Sequence, residues 1–366
     1  MSMRTTRRLL ASAAALALVV PLAACASGPS SAAEALEMLN ASMAETDRER
    51  FDAVLDGSIP QSTRDMWWSN LTQLGDVGVT ETGDGWQVDW SLPGEQAAAS
   101  HAVDMAIGCV GGLCRITRIE PVASRPAPEW LVEPVDVITA DGAVLIVGRG
   151  ASDPSAAAGA AARAIGDSGM ALLDTGSEAP LPIEVPATGS AYALVTGTPS
   201  TQTQGLGALT RRAGEAVRVV VNPARAGQWS PAQQTMLLTH EAVHWRLTRL
   251  GAPVAGNAWV SEGLAEWLAL PQDATERASS AARAVQGCQD SGGAPALPTD
   301  DEFAATDDAD ALRRAYALSW AAVSELVDEL GADTAGDLVE QLWTTPGDQV
   351  GEVTGVLARW CAANVP

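Results

Sequence analysis

The segment with the clearest chemical content is His240-Glu241-Ala242-Val243-His244. On a helix, residues four apart lie one above the other on the same face, so these two imidazoles can bind a single metal ion. The carboxylate of Glu241, next to the first histidine, then reaches a water on that metal from the side. The H-E-x-x-H pattern therefore predicts zinc held by His240 and His244, with Glu241 as general base. The chain has three histidines, and two of them stand in this pattern. Further on, Trp259-Val260-Ser261-Glu262-Gly263-Leu264-Ala265-Glu266-Trp267 supplies two more carboxylates. At that distance the chain has room to turn back and set Glu262 beside the histidines. Glu266, one helical turn after Glu262, is placed to accept the second ring N–H of a ligating histidine and fix its tautomer. The plainer reading of Glu266 is a solvated charge on a helix face.

These side chains need helices to carry them, and the sequence marks the ends of the first one. Ser230-Pro231-Ala232-Gln233 is a capping box with proline at the first helical position. Gly251 stands where a C-terminal cap belongs, just beyond Arg246 and Arg249, whose charges suit that end of the helix dipole. The spacing predicts a helix over Pro231 to Leu250, a second over Glu262 to Leu270 capped by Ser261, a third over Leu312 to Leu330 and a last one over Ala335 to Trp343.

H-E-x-x-H followed by a W-x-x-E-G-x-A segment resembles the gluzincin, or peptidase MA-like, class of zinc metallopeptidases. In pattern it is nearest to aminopeptidase-type members, with thermolysin more distant. The likeness covers His240 to Trp267 by motif, and Ala127 to Trp343 more loosely. It implies zinc-dependent hydrolysis of peptide bonds in a peptide or protein substrate. It gives His240, His244 and Glu262 as the ligands of one zinc ion and Glu241 as the base. Thermolysin-like members carry an acid at the interval of Glu266. Aminopeptidase-type members use a tyrosine from a downstream helix to hold the oxyanion, a role that falls here on Tyr316 rather than on Tyr192, the other tyrosine. The alternative for Tyr316 is a core aromatic beneath the zinc helix. A metzincin would need glycine at 247 and histidine at 250, where Leu247 and Leu250 stand. No histidine follows His244, so the third protein ligand is a carboxylate or a cysteine, and helix position and flanking motif favour Glu262 over Asp273. The G-x-M-E-N segment that captures a free amine in true aminopeptidases is missing, which leaves an endopeptidase or narrow processing enzyme open.

The expected fold class is α+β, with a zincin-like metallopeptidase domain over residues 126–366 preceded by a small α+β domain over residues 32–125. In the first domain, helical spacing at Leu36, Leu39 and Met43 and at Phe51, Val54 and Leu55 gives way to strands. Trp86 to Trp90 alternates strictly, and Ala102 to Cys109 with Leu113 to Ile119 reads as a hairpin turning at Gly111-Gly112. This order of elements resembles the cone-shaped NTF2-like fold. Trp67, Trp68, Trp86 and Trp90 are read as core anchors in preference to the lining of a pocket in this domain, and His101 as a surface or satisfied core residue rather than a ligand. Beyond the boundary at Arg125-Pro126-Ala127-Pro128 come a hairpin across Asp141-Gly142, an Ala-rich helix over Pro154 to Ile165 and a strand at Ile183 to Val185. The β-branched strand Val217 to Val221 is either the edge on which an extended substrate pairs or an internal strand. Residues 271–310, rich in Ala, Asp and Gly, fit a loop or loosely helical insert.

Arg4, Arg7 and Arg8 precede an apolar run from Leu9 to Leu22, followed by small residues and Cys25. This is a signal peptide over residues 1–24, too short to span a bilayer. Leu22-Ala23-Ala24-Cys25 resembles the bacterial lipobox, which implies that Cys25 is diacylated and that residues 25–31 tether the protein to the outer face of the cell membrane. Thr6-Arg7-Arg8-Leu9-Leu10 leaves a twin-arginine export route open beside the general one. The remaining Cys109, Cys114, Cys288 and Cys361 are an even set in an oxidising compartment, with Cys109–Cys114 and Cys288–Cys361 the favoured of three pairings. A four-thiolate zinc site lacks the C-x2-C pairs it would need. The net charge of −23, with every cation an arginine, argues against nucleic-acid binding and against adsorption to anionic lipid. The competing functional class is a non-catalytic zincin-fold lipoprotein that serves as a binding or scaffold module.

Overall fold

Tight turns account for most of the strand pairing. Gly111 (φ 61°) and Gly112 (φ 80°) are both left-handed, as a two-residue hairpin loop requires, and they pair Val110 with Leu113. Gly142 (φ 73°) serves the next hairpin, where Ala140 pairs with Ala143. A computed structural model describes residues 28–173, 179–199, 207–304, 308–344, 353 and 355–365. Cys25 and the signal segment lie outside the described residues.

The chain is mixed α+β with two sheets. Helices α1 (Ala32–Ala44), α2 (Arg48–Val54) and α3 (Gln61–Leu71) precede an antiparallel meander of β1 (Val77–Thr82), β2 (Gly85–Trp90), β3 (Ala99–Val110) and β4 (Leu113–Pro121). Leu39, Phe51, Val54, Trp67 and Leu71 from the helices pack with Val88, Trp90, Val103, Met105 and Ile116 from the sheet. The helices-then-strands order expected of residues 32–125 is present.

After α4 (Glu129–Val132) come β5 (Val135–Ala140), β6 (Ala143–Gly148), α5 (Ser155–Gly166), β7 (Leu181–Val185), α6 (Gly189–Thr196), β8 (Ala208–Ala213) and β9 (Ala216–Val221). The second sheet has the order β5-β6-β7-β9-β8, parallel through β6, β7 and β9 and antiparallel at both ends. Its three central strands are buried along their whole length, because both faces are covered. Leu145, Val147, Ile183, Val217, Val219 and Val221 face the helices, while Val144 and Ile146 join the core of the first sheet. Trp130, Leu131 and Val135 do the same, and Asn70 ties the chain there by accepting from the Val135 amide and donating to the carbonyls of Trp130 and Glu133. One apolar core therefore runs across the Arg125–Pro128 boundary.

Val217 to Val221 is the internal strand β9, not the edge. The edge is β8, whose polar Thr210-Arg211-Arg212 hides a strand from any reading based on β-branched runs. The opposite edge, β5, is closed by Gln73, which donates to Val135 O and accepts from the Val137 amide. Nothing among the described residues pairs with the outer edge of β8.

The rest is helical: α7 (Pro223–Ala226), α8 (Pro231–Leu250), α9 (Ala258–Ala269), α10 (Ala274–Asp290), α11 (Asp300–Ala304), α12 (Ala309–Leu330), α13 (Ala332–Thr344) and α14 (Val356–Asn364). The capping box at Ser230 and Gln233 is formed, and α8 ends at Gly251. Residues 271–310, expected as a loose insert, hold the regular helix α10. Asp273 accepts the amides of Thr275 and Glu276, and the Ala-rich sequence, with its Arg and Gln residues, favours helix once capped. Disulfides join Cys109 to Cys114 and Cys288 to Cys361. No helix among the described residues is long and apolar enough to cross a membrane.

Candidate metal centre

The middle of α8 sets His240 and His244 against Glu262 of α9 and turns Glu241 toward Thr210 of β8. The two histidine Nε2 atoms lie 3.0 Å apart. Glu262 Oε2, from α9, is 3.3 Å from each of them. Four-coordinate zinc with bonds of about 2.0–2.2 Å has ligand–ligand edges of roughly 3.3–3.5 Å, so this triangle is close to one face of such a tetrahedron. Glu262 Oε2 is buried and makes no hydrogen bond. Two imidazole nitrogens and an orphaned carboxylate oxygen aimed at one point are a donor set for a cation.

Glu266 Oε1 stands 3.2 Å from His240 Nδ1. In the neutral ring this carboxylate selects the Nδ1–H tautomer, whose Nε2 lone pair turns into the triangle. Burial opposes a charge on His240, but facing Glu262 and Glu266 outweighs it and holds the imidazole well above its ordinary pKa. For Glu262 burial raises the carboxyl, and the neighbouring imidazoles of His244 and His240 more than reverse this, keeping it ionised.

Glu241 is buried, and its partner escaped the sequence reading. Thr210 Oγ1, on the edge strand, lies 2.7 Å from Glu241 Oε2 and 3.0 Å from the Glu241 carbonyl. A hydroxyl has one proton to give and can turn between these acceptors. No motif announces Thr210, because its role exists only once β8 is laid against α8. Asp300 was equally hidden. Its carboxylate accepts the amides of Gly256 and Ala258 and so caps α9 from the start of α11. Ser261, expected as that cap, is inside the helix and donates to the Ala258 carbonyl.

Tyr316, on α12, lies edge-on to His240 with ring centroids 6.1 Å apart, and packs against Phe303. Burial, then the charges of Glu262, Glu266 and Glu241, push its phenol well above the ordinary value, so it stays a donor. α12 can come this near because Gly263 follows Glu262. A Cβ there would sit 2.4 Å from the Ser319 carbonyl oxygen and 2.7 Å from Val323 Cγ2. Tyr192 is buried against Val220 and Leu209, on the sheet face opposite α8.

His101 is a buried core residue. Its Nδ1 accepts from Trp90 Nε1 at 3.2 Å, and its Nε2 faces Arg211 at 3.5 Å. Arg211 and Arg218 share Glu184, and Arg218 also binds Glu95 at 2.6 Å and stacks on the Trp90 ring at 3.7 Å. This buried polar cluster joins the two sheets.

Comparison with protein-family models, curated proteins and solved structures found no significant match to this chain.

Proposed function

We propose that this protein is a zinc-dependent peptidase of gluzincin type, held to the outer face of the cell membrane through Cys25. The observation that carries the reading is the triangle of His240 Nε2, His244 Nε2 and Glu262 Oε2, with edges of 3.0, 3.3 and 3.3 Å. A helix-over-sheet arrangement in which H-E-x-x-H lies against a polar edge strand supports the zincin-like assignment. When bound, zinc supplies Lewis acidity toward a peptide carbonyl and toward water.

The chain's own groups do the rest. Glu241 Oε2 is held by Thr210, leaving Oε1 to take the proton from the attacking water and return it to the departing amine. Tyr316 keeps its proton and offers it to the oxygen on which negative charge grows. Glu266 locks His240 in the ligating tautomer. The unpaired edge of β8 suits an extended substrate held by main-chain hydrogen bonds, with Thr210 beneath it.

Metal analysis and a peptide-library digest test the reading together. Wild type should carry one zinc per chain and cleave. Glu241→Gln should keep the zinc and lose about 10²–10⁴-fold in rate, the usual contribution of a general base. Glu262→Gln should lose the metal. A metal-free wild type, or unchanged zinc after Glu262→Gln, would sink the assignment.

A further inference from the structure

We infer that the tip of the β3–β4 hairpin is a second membrane contact, seated in the headgroup layer beside the acylated Cys25. The inference rests on the lipid-anchor reading given above, and concerns what the folded protein does once tethered.

Among the described residues four large hydrophobic side chains are exposed, and two of them, Val110 (83%) and Leu113 (39%), share this tip. Only Gly111 and Gly112 stand between them, and no charge lies between Cys109 and Cys114. The disulfide across the hairpin base holds the two apolar side chains on a short, closed loop. Adjacent on one tip, they form a contiguous apolar spot rather than singly scattered surface residues.

What covers the tip follows from where the chain enters. The Cys114 amide donates to the Pro29 carbonyl at 2.7 Å, and a Cβ on Gly28 would lie 3.3 Å from Leu113 Cδ2. The first described residue therefore rests on the hairpin. Cys25 precedes Gly28 by three residues, a reach of at most about 10–11 Å. Acyl chains on Cys25 fix that residue at the bilayer surface, so the hairpin tip cannot be far above it. The tether also makes the local lipid concentration so high that a contact too weak to recruit the free protein is enough to orient the anchored one. The strongly acidic chain, more so once Arg4, Arg7 and Arg8 leave with residues 1–24, makes a zwitterionic surface the better partner than an anionic one.

Hydrogen–deuterium exchange tests this on the full lipoprotein in phosphatidylcholine vesicles, compared with a chain beginning at residue 26 free in solution. The Gly111 and Gly112 amides should exchange about tenfold more slowly in the vesicle-bound protein. Val110→Asp with Leu113→Asp should remove that protection while exchange in the metal-site helix stays as in wild type. Val110→Asp alone, at an exposed position, serves if the double variant does not fold. Equal exchange at the tip in both states overturns the contact, and so does equal protection in the free chain, which would point to another protein copy as the occupant. Mass spectrometry of the N-terminus separates the two ideas. A diacylated Cys25 with an unprotected tip overturns the hairpin contact alone, and an unmodified Cys25 overturns the anchored geometry and the contact with it.

Discussion

Glu241 and Thr210 meet between a helix and an edge strand, where a carboxylate has few other partners. A threonine hydroxyl at 2.7 Å fixes one oxygen and thereby aims the other. Thr210→Val keeps the shape and removes the donor, so it should lower kcat about tenfold with KM and zinc content nearly unchanged, and Thr210→Ser should restore most of the loss. A fall in zinc content instead would mean that Thr210 supports the fold of the site rather than its base. Glu266→Ala has a different signature. Without the carboxylate at Nδ1, His240 is free to rotate or change tautomer, and zinc affinity should fall about 10–100-fold in a chelator competition. If affinity is unchanged, Glu266 is only a surface charge. The pairs His240 with His244 and Glu262 with Glu266 were legible from spacing, because a helix converts i, i+4 into a shared face, whereas setting Glu262 against the histidines drew on the resemblance of the two motifs to a known family. Thr210 and Asp300 could not, since each meets its target across a long loop in sequence.

Helices α9 and α12 decide how close Glu262 comes to Tyr316. Gly263 permits that approach, and its place in the W-x-x-E-G-x-A segment has a packing cause. Gly263→Ala should destabilise the protein by about 1–3 kcal/mol, as overpacking does, because the added methyl meets the Ser319 backbone rather than a side chain able to move. Denaturant titration reads the loss, and activity should fall further than stability alone explains as Tyr316 withdraws from His240. A Gly263→Ala protein of wild-type stability would show that α12 can slide without cost. The long capped helices were legible because their periodicity and caps agree. The edge strand was not, since β9 has the stronger β-branched signal for being buried on both faces, while β8 carries polar residues that serve the site. The helix at 274–290 was hidden by its composition. Alanine and charge read as looseness until Asp273 caps the segment and Cys288 pins it to α14.

On the scale of the whole molecule, the two sheets share an apolar core and a buried ionic cluster, so residues 32–125 are part of the framework that holds β8 and, through Thr210, the proposed base Glu241. His101 titrates in that junction, as does the buried Glu129, whose carboxyl is raised by burial and then by Glu184 and whose contribution is common to wild type and a His101 variant. Burial, then the charges of Arg211 and Arg218, holds its imidazole well below the ordinary value of 6.5, so it is neutral in the folded protein. Every neighbouring cation opposes its protonation, and Glu184, Glu95 and Trp90 are already engaged with those arginines. In the unfolded chain the same residue takes up a proton near pH 6.5. The unfolded state therefore binds more protons below that pH, and stability falls as the solution is acidified, by at most about 1.4 kcal/mol per pH unit for one group. His240 acts in the opposite sense in the metal-free chain. Its folded value is raised, so its contribution is present below the unfolded value and is lost as pH rises through the folded one. The two are separated by comparing His101→Gln with wild type, both stripped of metal, in urea titrations at pH 7.5 and pH 5. The His240 contribution is common to both proteins and cancels in the difference. Wild type should lose more stability than the variant on going to pH 5, and a variant with the same acid loss would show that His101 does not carry the pH sensitivity of the junction.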